Sequence, residues 1–558
     1  MNRQLKGLSY RVFDVLIIGG GIHGAAMAWE AAQRGLDVAL VDRGDFGAGT
    51  SANSLKIIHG GLRYLQTADL RRVRESIRER SAMLRIAPHL VRPMPCVLPL
   101  YRHGGLKSPF FMKAALKAAD VVGFDRNSGL EADRSLVGGR VVSARETARI
   151  APGIRKDGLI GGAVWTDAQM TNPSRVVLSF VLAAHRAGAT TINHAEVRHL
   201  IRGGRRVIGA TLRDLLTNQE FNLWARVTVN AAGPWAEDVA RLAETSGRES
   251  APGLSAAMNL IIRRPLTAGH AIGASRPGGP VFFIVPWRGL TLVGTRHWGF
   301  SGTADRFKLG GADISAFLKE LNLALPGGKA IPADVVGVLS GLLPGSVNRL
   351  TGEVDLLKRQ RIVDHEDRDG IQGLVTVVGV KFTTARYVAE QAMNLVMRRL
   401  NRKATASATS ITPIHGGKTG PLSEYILSQV AKQNGKFSPP LVQRLIETYG
   451  SEYERVLAYV DERGEEPLEE SSVLPAEIEY AVRGELGCRL ADVVFRRTEM
   501  AIVGPPSEAA VESAGKAMGS VLGWDAPKRR REIDGAIEEI SSVTAVSSAA
   551  RTPTAEAV

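Results

Sequence analysis

Residues 14–42 read DVLIIGGGIHGAAMAWEAAQRGLDVALVD, and this stretch decides the fold. Val15, Leu16, Ile17 and Ile18 form a short apolar run of the kind that makes a strand buried on both faces of a parallel sheet. Gly19, Gly21 and Gly24 follow at G-x-G-x-x-G spacing. Ala25 to Gln33 predicts a helix that ends at Gly35, and Val38 to Val41 predicts a second strand ending at Asp42. Gly19 permits the tight turn, Gly21 lets the backbone approach a pyrophosphate, and Gly24 lets helix and strand pack closely. The helix N-terminus offers free N–H groups and a positive dipole end to the phosphates. Asp42 stands where a carboxylate holds ribose hydroxyls. The pattern predicts a dinucleotide-binding βαβ unit, without distinguishing FAD from NAD.

Three later segments favour a flavin. RGDFGAGTSANSLKIIHGGLRYL (43–65) is too polar and Gly-rich for a plain helix, and it gathers Thr50, Ser51, Ser54, Lys56, His59, Gly60, Arg63 and Tyr64. RVTVNAAGPWAEDVA (226–240) predicts a strand over Val227–Val229 that breaks at Asn230, Ala231, Ala232 and Gly233. LVTVVGVKFTTARYVAEQA (374–392) predicts a strand, a turn at Gly379, Val380 and Lys381, and a helix opening at Thr383 and Thr384. A second helix N-terminus with a lysine suits the negative charge that develops on a reduced isoalloxazine.

Outward from these motifs, residues 13 to about 400 alternate apolar runs with helical patterns, as α/β domains do. Residues 401–420 are small, polar and Gly-containing and read as a linker. From about 421 to 540 the segments PLVQRLIETYG, AEIEYAVRGEL and LADVVFRRTEM carry apolar residues at helical spacing, and the tail 541–558 has no periodicity and is expected to be disordered. The whole chain has 558 residues and a formal charge of +15, from 71 Lys+Arg and 56 Asp+Glu, with 44% hydrophobic and 23% charged residues. This composition excludes collagen-like, low-complexity and fully disordered classes. Only Cys96 and Cys488 are present, so a disulfide scaffold is excluded and a reducing compartment is expected. No apolar run is long enough to span a bilayer and no secretory signal core opens the chain, so a cytoplasmic protein is expected, peripheral on the inner face of the cytoplasmic membrane if it touches one. SPFFMKAALKAADVVGF (108–124), with Lys113 and Lys117 one turn apart, suits either an interfacial helix or a covered cap helix. The run Arg71, Arg72, Arg74, Arg78 and Arg80 with Glu75 and Glu79 reads as a solvated helix face with pairs such as Arg71–Glu75, so no nucleic acid is expected. No metal-ligand spacing occurs, so no metal site is expected.

DVLIIGGGIHGAAMAWEAAQRGL, GTSANSLKIIHGGLRYLQ, VNAAGPWA, VVGVKFTTARYVAE and EIEYAVRGELGCRLADVVFRRTEMAI together resemble the FAD-dependent glycerol-3-phosphate dehydrogenases, within the D-amino-acid-oxidase/glutathione-reductase-like flavoproteins. The resemblance spans residues 14 to about 525. It implies a Rossmann-like FAD domain (parts 12–100, 160–250 and 340–400) with an inserted α+β cap or substrate domain (101–159 and 251–339), together making a 1–400 oxidoreductase domain. A C-terminal all-α domain over 421–540 completes the chain. It also implies hydride transfer from the secondary alcohol of glycerol 3-phosphate or a related polyol phosphate to flavin, with electrons passed to quinone. An oxygen-using oxidase of an amine or hydroxy acid, and a FAD-binding protein with altered catalysis, remain alternatives. The oligomeric state stays open, a homodimer included.

Four positions depart from the family pattern. Leu343, in Ser340-Gly341-Leu342-Leu343-Pro344, stands where the family has an arginine that clamps the substrate. Lys358 falls at a second family arginine, Gly294-Thr295-Arg296-His297 replaces Gly-Thr-Thr-Asp, and Asn259 replaces a histidine. A leucine cannot form the charge-assisted pair that a phosphate accepts from arginine. Either Arg296 and Lys358 supply that charge, or the substrate is a relative of glycerol 3-phosphate. His59 is the first candidate for general base, with His297 its rival, because an unperturbed imidazole titrates near neutrality. Arg63, Tyr64, Arg296 and Lys358 are the substrate candidates, and Lys381 serves substrate or flavin. FAD is expected on Gly19, Gly21, Gly24, Asp42, Thr50, Ser51, Ser54, His59, Gly60, Asn230, Ala231, Gly379, Lys381, Thr383 and Thr384.

Overall fold

The computed structural model describes residues 3, 5–102, 108–244, 253–276, 279–348, 354–403 and 405–549. Two sheets organise the first 400 residues. The first runs in the order Arg361–Asp364, Leu374–Val378, Glu220–Asn230, Val12–Ile18, Val38–Val41 and Thr190–Ile192, with the hairpin Ala195–Gly203/Arg206–Asp214 joined to Glu220–Asn230. Val12–Ile18 lies parallel to both Val38–Val41 and Glu220–Asn230. Val15 and Ile17 pack under the helices Ile22–Gln33, Pro173–Arg186 and Ala385–Arg399, whereas Leu16 and Ile18 enter the core on the opposite face. This two-sided burial is what the unbroken apolar run anticipates.

The second sheet has ten strands, in the order Val354–Leu356, Val335–Val347, Leu254–Ile262, Leu290–Phe300, Phe282–Trp287, Ala271–Ala274, Val91–Tyr101, Leu159–Met170 and Ile57–Ile58, with Arg140–Ser143 paired to Leu159–Met170. The expected cap boundaries of 101–159 and 251–339 are therefore too narrow. Val91–Tyr101, Leu159–Met170 and Val335–Val347 belong to this sheet, because Val91–Tyr101 pairs along its length with Leu159–Met170 and Val335–Val347 with Leu254–Ile262. The helix Gly311–Ala324 covers one face, with Ile314, Phe317, Leu318 and Leu321 in the core.

The C-terminal domain is helical: Leu422–Lys432, Pro439–Tyr449, Tyr453–Arg463, Pro475–Glu485, Glu508–Leu522 and Ala526–Ala549. The last helix overturns the expected disorder from 541, since the chain stays helical to Ala549; residues 550–558 lie outside the described residues. The segment 490–500 is not one regular helix. Leu490–Asp492 is followed by a wide turn in which the Thr498 N–H reaches the Val493 carbonyl at 3.0 Å. That turn aims Arg496 and Arg497 back at Asp45, just beyond the second strand, and Arg175–Glu485 adds another buried ion pair between the domains. The expected linker is a packed connector, as Ile414 sits in the main core and the Thr409 hydroxyl bonds Glu30.

Candidate active site

The glycine turn is built as close approach requires. Gly19 has φ +104°, and an added Cβ there would lie 2.6 Å from the Ala231 carbonyl oxygen. A Cβ on Gly24 would lie 1.8 Å from the Gly19 carbonyl oxygen, so only glycine lets this helix meet this strand. At Asp42 the carboxylate accepts the Gly20 N–H at 2.6 Å and the Gly44 N–H at 2.8 Å, which braces the loop. Burial pushes its carboxyl up from the ordinary value. The Ser51 hydroxyl accepts the Ile22 N–H at 3.0 Å, Thr50 donates to the Leu342 carbonyl at 3.0 Å, and Ser54 accepts the Lys56 N–H at 3.3 Å. These three hydroxyls shape the polar loop and tie it to the cap sheet.

His23 was not foreseen. It sits in the first turn of the helix, and its ring fills the space a Cβ on Gly379 would occupy, its nearest atom 2.1 Å from that point. Its Nε2 is buried without a partner, and burial lowers its pKa to about 4, so it is neutral at physiological pH. A glycine-lined cradle with an orphaned ring nitrogen, between two helix N-termini, fits a flavin dinucleotide.

His59 adjoins the second of these helix N-termini through its backbone. Its N–H bonds the Thr383 hydroxyl at 3.2 Å, and its ring centroid is 5.6 Å from that of Phe283 on the cap sheet. Its Nδ1 is 3.3 Å from Asp167 Oδ2. Asp167 also accepts the Gly60 N–H at 2.7 Å and Arg80 Nη1 at 3.0 Å. Burial alone would raise the Asp167 carboxyl; the His59 hydrogen bond, the charges of His59 and Arg80 and the Gly60 N–H outweigh it and bring the pKa down to about 2. Asp167 and Arg80 lie well apart in sequence from His59, and their signal is only legible once Leu70–Ile86 and Leu159–Met170 are brought together. The expected solvated arginine face is corrected on the same ground. Arg74 pairs with Asp125, Glu79 with Arg386 and Arg80 with Asp167, all long-range partners.

Arg63 is exposed and close enough to His297 to help hold that imidazole neutral. Burial, then the Arg63 charge, lowers the His297 pKa to about 4, and its Nδ1 has no partner. The Tyr64 ring has Lys381 Nζ 4.1 Å and Arg72 Cζ 4.7 Å from its centroid. Thr384 caps Ala385–Arg399 without a side-chain bond. Ala231 approaches Gly19 through the backbone.

Three expectations are corrected by placement. Arg296 leaves the site: its guanidinium lies 3.3 Å from Glu320 and 3.9 Å from Asp313, both on the helix that covers the outer face of the cap sheet. Lys358 is at the surface, 73% exposed and 3.5 Å from Asp355. Asn230 is fully buried, and its amide bonds the Ala236 carbonyl at 2.7 Å, so it holds the turn after its strand. Asn259 is also engaged within the protein, donating to the Asn53 carbonyl and accepting from Thr295 Oγ1. Among the described residues Asp45, His194 and Asp492 come together with ligand geometry, but Arg496 and Arg497 already bind the Asp45 carboxylate. Lys56 belongs to the same polar loop. It is buried over the Trp287 ring, and burial lowers its pKa to about 7.

The fold and the site define a FAD-dependent oxidoreductase with a helical C-terminal domain. Residues 14–394 match the family described as FAD dependent oxidoreductase, and residues 407–529 match the C-terminal domain of alpha-glycerophosphate oxidase. The chain is 30% identical over 525 residues to a glycerol-3-phosphate dehydrogenase of Synechocystis sp., covering 90% of this chain and 91% of that one. It is 32% identical over 549 residues to the mitochondrial glycerol-3-phosphate dehydrogenase of Bos taurus, covering 94% and 72%. The crystal structure of a glycerol-3-phosphate dehydrogenase from Bacillus halodurans complexed with FAD shares the fold, with a TM-score of 0.76 at 23% identity over 99% of this chain and 97% of that one. The chain belongs to the glycerol-3-phosphate dehydrogenase family of FAD-dependent oxidoreductases, and its cofactor is FAD.

Proposed function

We propose that this protein oxidises the secondary alcohol of glycerol 3-phosphate to the ketone and passes the electrons to a membrane quinone. The observation that carries the reading is the placement of His59, with its side chain 46% exposed, between Thr383 at the second helix N-terminus and Phe283 of the cap sheet, with Asp167 behind it. Bound FAD would supply the hydride acceptor for the substrate carbon. His59 takes the hydroxyl proton as that C–H bond breaks. Arg63 pairs with the substrate phosphate, and Tyr64 holds the polyol chain in place beside Lys381. Gly19, Gly21 and Gly24 hold the pyrophosphate, Asp42 the ribose, and His23, Gly379, Lys381 and Thr383 the flavin end.

The same family resemblance supports quinone as acceptor, and one surface supports contact with a membrane. The helix Pro109–Val122 exposes Phe110, Phe111 and Val121, Phe124 follows it exposed, and Lys113 and Lys117 share the outer face. Among the described residues no helix is long and apolar enough to cross a membrane. The apolar face with its lysines fits the inner leaflet of an anionic bilayer as a peripheral anchor.

The deciding experiment is anaerobic titration of the purified yellow protein with glycerol 3-phosphate, read by loss of the visible flavin absorbance. Stoichiometric bleaching, followed by recolouring with a short-chain quinone, is the expected result. Bleaching only by other hydroxy acids or amines, or prompt peroxide release in air, would replace this reading with the oxidase one.

A further inference from the structure

We propose that Asp167 is the positioning residue of the reaction: it fixes the ring of His59 and leaves Nε2 as the proton acceptor facing substrate. The inference rests on His59 being the base. It deepens that reading with a residue that neither the motifs nor the matched family descriptions single out.

The geometry has three parts. The side chain of Asp167 is only 4% exposed, yet it is fully satisfied. Oδ1 takes the Gly60 N–H and Arg80 Nη1, and Oδ2 lies 3.3 Å from His59 Nδ1. One carboxylate therefore grips both the backbone and the side chain of the His59–Gly60 turn. Arg80 locks the carboxylate from behind, also donating to the Thr166 carbonyl at 2.7 Å. A Cβ on Gly60 would lie 2.2 Å from Arg80 Nη1, so the turn closes on the guanidinium without room to spare.

The chemistry follows from donors and acceptors. An ionised carboxylate accepts only, so the His59 nitrogen facing it carries the hydrogen. In the neutral imidazole that puts the lone pair on Nε2, the nitrogen turned away from Asp167. As His59 takes the substrate proton, the carboxylate stabilises the imidazolium that forms. A buried anion opposite a base would be costly alone, and Arg80 offsets its charge. The other titratable group packed on Asp167 is Cys96, on the neighbouring strand, whose thiol is held protonated by burial first and then by the Asp167 charge. It therefore contributes no charge near neutral pH.

The test is the pre-steady-state rate of flavin reduction by glycerol 3-phosphate as a function of pH, in wild-type holoenzyme, Asp167→Asn, Asp167→Glu and His59→Gln. Asparagine turns an N–H toward Nδ1 and favours the wrong tautomer. Asp167→Asn is expected to bind FAD, reduce roughly 10²-fold more slowly, and shift the rising limb of its pH profile to lower pH. Asp167→Glu, which keeps the carboxylate, is expected to recover part of the rate and most of the profile. A wild-type rate and profile in Asp167→Asn, with His59→Gln slow, overturns the positioning role alone. A near-normal rate in His59→Gln removes the base reading and the proposal with it. Should Asp167→Asn not fold, the ¹⁵N shifts of His59 in the labelled wild-type enzyme decide. An Nδ1-protonated neutral ring supports the assignment, and an Nε2-protonated ring overturns it.

Discussion

Arg296 and His297 are neighbours in sequence and point to opposite faces of one cap strand. The guanidinium pairs with Glu320 on the covering helix, while the imidazole turns to the cleft and meets the field of Arg63. Strand alternation makes this unavoidable. It also takes Arg296 away from the cleft, so of the two arginines offered as substrate contacts only Arg63 stays near His297. Arg63→Ala is expected to lower kcat/KM for glycerol 3-phosphate by roughly 10- to 100-fold, the range for a lost hydrogen bond to a charged group. Arg296→Ala should leave KM within about threefold and cost at most roughly 1 kcal/mol of stability, as partly exposed ion pairs do. Steady-state kinetics and thermal melts on the two variants check this; a large KM effect in Arg296→Ala would return that residue to the substrate.

Leu343 lies on the same sheet face as His297. Gly341 and His297 both pair with Ala257, and Leu343 is two residues beyond Gly341, opposite Ser255. Leu343→Arg therefore aims a guanidinium into the cleft beside Arg63. The expected outcome is a gain of about tenfold in kcat/KM for glycerol 3-phosphate, from one added charge-assisted contact. An unchanged or lower value, with FAD still bound, would show that the pocket has been reshaped around the leucine for a different polyol phosphate.

The exposed helix Pro109–Val122 offers a direct membrane test. Phe110→Asp with Phe111→Asp removes two aromatic anchors, exposed at 77% and 51%, without touching the buried Met112 and Leu116. Cosedimentation with vesicles containing anionic lipid should fall several-fold, while reduction of the flavin by substrate stays at the wild-type rate. Equal binding by both proteins would move the contact elsewhere.

The docking of the two domains concentrates at Asp45. Its carboxylate is fully buried and receives Arg497 Nη1 at 2.6 Å, Arg497 Nη2 at 2.7 Å and Arg496 Nε at 2.6 Å. Asp45→Ala leaves two guanidiniums facing a buried gap. Breaking such a cluster from one side costs roughly 3–5 kcal/mol. Denaturant unfolding of the holoenzyme should show that loss, and replacing Arg496 alone should cost less, since Arg497 keeps the bidentate contact.

The fold was legible because its decisive signals are local. One run from Asp14 to Asp42 carries strand, turn, helix and acid in order, and the structure returns Val12–Ile18, Ile22–Gln33 and Val38–Val41. The breadth of the cap sheet was not legible, because Val91–Tyr101 and Leu159–Met170 read like any strands and only their pairing assigns them. Sequence spacing gathers His59, Arg63 and Tyr64 as candidates because one motif clusters them. Spacing failed where direction decides, as at Arg296, or where a side chain is spent on the backbone, as at Asn230. Asp167 and His23 were missed for a third reason. Each meets a partner distant in sequence, Asp167 beside His59 and His23 against Gly379, so no spacing announces them.

Two buried histidines are expected to make the domain contact sensitive to acid. His89 and His415 lie close together near Arg175, each with an unpaired Nδ1. Burial first, then the Arg175 charge, lowers His89 to about 3; burial, then Arg186 and Arg175, holds His415 well below its ordinary value. In the unfolded chain both titrate near 6.5. Below that pH the unfolded state takes up protons that the native state refuses, so stability falls as pH drops from about 6.5 toward about 3 and levels off beneath the native values. Each histidine contributes up to roughly 1.4 kcal/mol per pH unit within that window. His89→Gln with His415→Gln should therefore flatten the loss of stability between pH 6.5 and 5 relative to wild type, whatever the offset at neutral pH. The comparison isolates the pair, because other buried histidines, such as His297, contribute equally to both proteins. Parallel pH curves would mean that protons or water reach the two rings in the native state.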